Sequence, residues 1–161
     1  MKKREVKNAK KSNLNVLTLI VCLLTVLIVA SIGSFFTKDV NSSWYQSIKP
    51  SITPPNFVFP IAWSILFFLI GLSLYFAWIS KMKKGEIIIL FGANFILNIM
   101  WSYFYFALHS PLTAFIDVIF LEVSIIALIF ALKPHSKLAS YLLIPYALWV
   151  LFASVLNYLS I

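Results

Sequence analysis

Asn94, Asn98, Ser102 and Tyr105, with Trp101 beside them, recur at spacings of 4, 4 and 3. On a helix those steps set amides, hydroxyls and an indole along one face. Tyr146, Trp149, Ala153 and Asn157 repeat the pattern near the C-terminus, and Trp63, Phe67, Ile70, Leu74 and Trp78 form an aromatic-ended stripe. Indole and phenyl faces stack on flat apolar molecules, and a few convergent amides orient them. Three such faces turned inward would enclose a pocket for a flat, largely apolar ligand. The same Asn and Ser stripes also hold membrane helices together, and Trp near span ends belongs to interfacial belts. For Trp78 and Tyr158, at the ends of runs, the belt is the reading; for Asn94, Asn98, Trp63 and Trp149 residue chemistry leaves both readings open.

Other chemistry is thin. Asp117 and Glu122 fall inside an apolar run, where carboxyls are costly. Five residues apart on a helix they point about 140° from each other, so they are not a paired acid and base. Asp117 is expected to hydrogen-bond the proline-rich loop or a neighbouring helix, and Glu122 needs a partner or a proton. His109 reads as a solvated turn residue and the lone Cys22 as a small hydrophobe. Phosphate-loop, dinucleotide, zinc-helix and nucleophile-elbow patterns are absent, and four glycines leave little material for phosphate-cradling loops. No motif requires a cofactor, no metal-ligand constellation occurs in the sequence, and an ATP-driven pump is disfavoured.

The elements that must position these residues follow from composition. Of 161 residues 61% are hydrophobic and 11% charged, and mean hydropathy is +0.95. A water-soluble surface needs charge on roughly a quarter of the residues, so lipid is the surrounding solvent. Five apolar runs predict spans over 14–36, 57–80, 87–108, 111–132 and 138–160, after a basic tail over 1–13 that is disordered or lies on anionic lipid. Pro145 should kink the last span. The expected fold is an all-α integral membrane bundle of five helices with a long structured first loop, in one domain.

That loop holds Pro50, Pro54, Pro55 and Pro60, which forbid one continuous helix, together with Trp44, Tyr45, Phe57 and Phe59. It reads either as a stiff cap over the bundle mouth or as a loop whose aromatics rest at the headgroups. Eleven of the thirteen basic residues fall on the side of the N-terminus and the 81–86 and 133–137 gaps; Lys38 and Lys49 alone fall on the loop side. The positive-inside rule then places the N-terminus in the cytoplasm and the loop and C-terminus outside; in a bacterial or archaeal cell the membrane concerned is the plasma membrane. Charge distributed by topology, rather than over one folded face, argues against nucleic acid as a partner. Gly85, Gly92 and Ala93 offer small surfaces for a second copy.

The stretches WYQSIKP, TPPNFVFPIAWSILFFLIGLSLYFAW, N-x-x-x-N-x-x-WSYFYF and LLIPYALWVLFASVLNY resemble the translocator protein family, also called TspO or tryptophan-rich sensory proteins. The likeness covers nearly all of residues 35–160. It implies five helices, often a homodimer, and a pocket below the first loop for porphyrins such as protoporphyrin IX or haem and for drug-like apolar ligands. Carried over by motif, the ligand-binding positions are Trp44, Pro54, Pro55, Trp63, Asn94, Asn98, Trp101, Tyr146, Trp149 and Ala153. For Asn94, Asn98, Trp63 and Trp149 the pocket gains from this resemblance. Ala153 stands where a small residue leaves space beside the ligand. The resemblance also implies light- and oxygen-dependent porphyrin degradation with Trp63 and Trp149 as the reacting indoles. The alternative is a transporter or non-catalytic receptor for porphyrin-like ligands. The sterol-type pattern of the family is incomplete, since no basic residue follows Tyr158.

Overall fold

Proline stands at the start of three of this chain's helices. Pro111 and Pro145 stand in the first two positions of their helices and Pro60 in the first turn of another, where a missing N–H is no loss. The computed structural model describes residues 2–37 and 42–161, with side chains from Asn15 onward. Its elements are α1 (Lys2–Phe36), α2 (Ser43–Ile48), α3 (Val58–Ile79), α4 (Lys84–Ser102) continued by a π-helical turn (Tyr103–Ala107), α5 (Pro111–Leu132), α6 (Lys137–Leu142) and α7 (Ile144–Tyr158). Five helical segments are long and apolar enough to cross a membrane: Asn15–Phe36, Val58–Ile79, Lys84–Ala107, Pro111–Leu132 and Lys137–Tyr158.

Two features differ from expectation for visible reasons. The basic tail is not set apart, because Lys, Arg, Glu and Ala without Gly or Pro carry helix α1 back to Lys2. The fifth span is broken rather than merely kinked. Leu143 separates α6 from α7, two residues before Pro145, whose ring is not tolerated inside a continuous helix. Lys38, part of the expected charge bias, lies outside the described residues, as do the side chains of the basic tail.

Of the two readings of the proline-rich loop, the cap holds for its first part. Ser42 caps α2 by accepting from the Tyr45 N–H at 3.2 Å. Tyr45 is buried, its ring centroid 6.4 Å from that of Tyr105 and 5.9 Å from that of Phe106. The chain then turns twice, with Thr53 N–H on Pro50 O at 3.0 Å and Val58 N–H on Pro55 O at 2.9 Å. Phe57, 66% exposed, points outward as a belt residue would.

The apolar core is concentrated toward the end opposite the cap, around Ile70, Ile87, Phe91, Leu121, Ile125 and Leu143. There α6 is tied to its neighbours by Ser73 Oγ donating to Ala139 O at 2.8 Å and Ser140 Oγ donating to Ile129 O at 2.7 Å. Helices α1 and α3 approach closely at Gly71. A Cβ added there would lie 2.7 Å from Leu23 Cδ2 and 3.6 Å from Leu23 Cα. A Leu methyl can rotate away, so Gly71→Ala should be tolerated. Gly71→Val, whose γ-carbons meet the α1 backbone, should cost about 1–3 kcal/mol through overpacking. Thermal unfolding in detergent checks this: an unchanged midpoint for Gly71→Val would mean that the two helices are not held at that crossing.

Candidate functional site

The end of the bundle beneath the cap is not filled. A cavity of about 370 Å³ lies there, within the roughly 300–1,000 Å³ range of small-molecule sites. Its aromatic wall comes from α3, through Phe59, Trp63 and Phe67, and from the end of α4, through Trp101, Tyr105 and Phe106. The Trp63 ring lies 6.3 Å from Trp101 and 5.2 Å from Phe67, centroid to centroid. Elsewhere the wall is thin: Ala30 and Gly33 of α1 and Ala153 of α7 present almost no side chain. Tyr45, Pro50, Thr53 and Asn56 close the mouth. Burial pushes the Tyr45 phenol above its ordinary value, with Tyr105 adding to the effect, so it remains a neutral donor at physiological pH.

The π turn explains how α4 serves both cap and cavity. Leu108 N–H reaches back five residues to Tyr103 O at 3.0 Å, and the wider turn lets Tyr105 and Phe106 face the same space. Tyr105 Oη donates to Ser160 Oγ at 2.9 Å, joining the end of α4 to the end of the chain. After the turn His109 adopts a φ of 50° and stacks on Trp44 at 4.2 Å. That places His109 outside the cavity, on an exposed turn as expected.

The polar stripes serve both purposes left open by the sequence. Trp101 Nε1 donates to Asn157 Oδ1 at 3.0 Å, and Asn157 Nδ2 donates to Pro111 O at 2.8 Å, tying α4, α7 and α5 together. Asn98 Nδ2 donates to Tyr146 Oη at 3.0 Å, Tyr146 Oη donates to Asn94 Oδ1 at 3.4 Å, and Asn94 Nδ2 donates to Ser124 Oγ at 2.8 Å. Asn98, Trp101 and Asn157 also line the cavity, whereas Asn94 and Tyr146 stand behind Asn98 as helix-to-helix ties.

Of the ten ligand-binding positions taken from the motifs, Trp63, Asn98, Trp101 and Ala153 line the cavity. Trp44 packs against Tyr105, with ring centroids 5.8 Å apart. Pro54 and Pro55 are off the wall while their neighbours Thr53 and Asn56 are on it. Trp149 sits edge-on to Phe59 at 5.9 Å and lines a shallow apolar groove between α3 and α7 with Ile65, Pro145 and Leu148. On the cavity wall the indole neighbouring Trp63 is therefore Trp101, and Trp149 is not among the lining residues. The contribution of α1 was missed. Its signal was a run of small residues, Ala30, Gly33, Ser34 and Thr37, at helical spacing in an otherwise bulky segment.

Trp78 and Tyr158 fall at span ends as belt residues do. Lys84 lies over the Trp78 ring at 5.3 Å and donates to the Trp78 carbonyl. Asp117 departs from expectation: its buried Oδ2 has no hydrogen-bond partner among the described residues, and neither has Oε2 of Glu122. The cavity wall offers no His, Cys or Met among the described residues, and no cluster of three metal-ligating side chains occurs among them.

Five spanning helices with an interior aromatic cavity under a structured loop define a multi-pass membrane protein with room for a small apolar molecule. Residues 21–160 match the TspO/MBR family. The chain is 42% identical over 147 residues to the tryptophan-rich protein TspO of Archaeoglobus fulgidus, covering 90% of this chain and 95% of that one. It is 39% identical over 151 residues to the protein of the same name from Chlorobaculum tepidum, covering 91% and 95%. To the human translocator protein it is 28% identical over 132 residues, covering 79% and 78%. The chain belongs to the TspO/MBR family.

Proposed function

We propose that this protein binds a flat, largely apolar tetrapyrrole, protoporphyrin IX or a relative, in the cavity beneath the cap. The observation that carries this is the wall itself, around a space of about 370 Å³. Trp63, Trp101 and Phe67 give one part of it flat rings, and Ala30, Gly33 and Ala153 leave another part almost bare. Aromatic faces in one place and missing side chains in another suit a slab-shaped ligand. Among the described residues of the wall, which include no His, Cys or Met, Tyr45 and Tyr105 are the candidates to ligate a central metal, so the reading rests on grip of the ring system. A metal-free porphyrin suits it at least as well as haem. Family resemblance adds light-driven breakdown of the pigment with molecular oxygen as the oxidant and a pocket indole taking part; here Trp63 is the indole best placed. The position of Trp149 off this wall favours a second reading, binding for transport or sensing without turnover.

The charge bias supports a plasma-membrane location with the cap outside. Gly85 and Gly92, with nothing within 4 Å of an added Cβ, leave room on α4 for a second copy of the chain in a homodimer. The test of function is titration of protoporphyrin IX while following tryptophan emission, then illumination of the complex in air. Saturable quenching is expected, with pigment loss that falls several-fold more in Trp63→Phe than in Trp149→Phe. Saturable binding with the pigment recovered intact would leave the carrier or receptor reading. Absence of saturable quenching would overturn both.

A further inference from the structure

We infer that the cavity mouth carries a subsite for a carboxylate at the edge of the bound molecule, read by Lys49 with Thr53 and Asn56. This rests on the binding role proposed above and goes beyond it by naming the chemistry of the ligand's outer end. The cavity wall proper holds no charged side chain among the described residues. Lys49 is not itself on the lining, but its Nζ donates to Oδ1 of Asn56 at 3.4 Å, and Asn56, Pro50 and Thr53 all line the space. Lys49 is the one Lys or Arg on the cap side among the described residues. An ammonium has three donors, and one long bond to an amide oxygen leaves the others for an anion.

Thr53 supplies an independent observation. Its Oγ1 is buried and has no hydrogen-bond partner among the described residues, so it is open to a water or to an acceptor or donor atom of a bound molecule. Its backbone N–H is already committed to Pro50 O at 3.0 Å, which fixes the Pro50–Thr53 turn beside Lys49. The cation, the unpartnered hydroxyl and the amide therefore come from one short, proline-stiffened segment at a polar edge of a largely apolar slot. A molecule with a flat apolar body and an acidic end would lay the body against Trp63 and Trp101 and its carboxylate against Lys49.

The experiment compares protoporphyrin IX, a diacid, with its dimethyl ester in nanodiscs of neutral lipid, so that no lipid acid competes. Dissociation constants are read from tryptophan quenching. The wild-type chain is expected to hold the diacid about tenfold more tightly than the ester, a charge-assisted contact discounted for its partly exposed rim. Lys49→Met should abolish that preference without weakening the ester, Lys49→Arg should keep it, and Thr53→Val should reduce it. Equal affinities for acid and ester in the wild type, or an unchanged preference in Lys49→Met, overturn the subsite and leave the cavity reading standing. Loss of saturable binding for both probes overturns the cavity reading, and the subsite with it.

Discussion

Replacing Ala153 with phenylalanine is expected to abolish tight ligand binding and leave the bundle folded. Ala153 is 8% exposed on the helix face that meets the cavity, so a benzyl group there grows into existing space. Nothing in the core has to move, because the dense packing lies toward the other end, around Phe91, Ile125 and Leu143. Stability should hold or rise slightly, since filling a void restores dispersion contacts. Ligand and side chain would compete for the same volume, and affinity should fall about tenfold or more, equivalent to roughly 1.4 kcal/mol. Protoporphyrin titration and thermal unfolding on the same preparation check the two halves. An unchanged dissociation constant would place the ligand elsewhere, and a lost fold would mean that the space is smaller than described.

Tyr146→Phe should destabilise the bundle by more than the loss of one ordinary hydrogen bond. Tyr146 is 1% exposed, and its hydroxyl sits between two amides, accepting from Asn98 at 3.0 Å and donating to Asn94 at 3.4 Å. Removing one oxygen leaves Oδ1 of the buried Asn94 without its donor and frees the amide of Asn98 on the cavity wall. Single hydrogen bonds between membrane helices average only about 0.6 kcal/mol. Orphaning a buried polar group costs more, about 1–3 kcal/mol, and that larger figure decides here because the phenyl ring cannot replace the lost contact. The midpoint of thermal unfolding should drop by several degrees. Asn98, freed to turn, should also change ligand affinity, which a purely structural tie would not do. An unaltered midpoint would show that the polar stripe does not hold α4 to α7.

The fold was largely legible because lipid imposes long apolar runs and proline imposes where they start. Pro111 opens its helix and the five spans follow from hydropathy alone, whereas Pro145, expected to kink the last span, stands at the start of a separate helix. Less legible were features set by packing between segments. The π turn at Tyr103–Ala107 has no local sequence mark, and the short helix α2 depends on a Ser42 cap just ahead of a proline-rich stretch.

The site divides the same way. Asn98 and Ala153 lie near the centre of their stripes and Trp101 beside one, and the family motif marks all three as ligand-binding positions. Trp149 lies off the cavity for a geometric reason: at 100° per residue it stands about 60° from Tyr146, on the opposite side from Asn157. At that angle the ring packs on Phe59 and against the core from the side, and the innermost place goes to Val150. Pro54 and Pro55 could not be told from Thr53 and Asn56, because loop residues have no periodicity to orient them. The α1 wall was hard to read for the opposite reason. It contributes by what Ala30 and Gly33 lack, and absence of bulk carries little signal in a single sequence.

A ligand slot inside the bundle, under the cap, is tested most directly by mapping where a flat aromatic diazirine probe attaches on illumination in nanodiscs. Labels on Trp63, Trp101, Phe106 and Leu156, displaced by protoporphyrin IX, are the predicted result. Labels confined to outward-facing residues such as Ile88, Ile89 and Ile96, with no displacement, would contradict it.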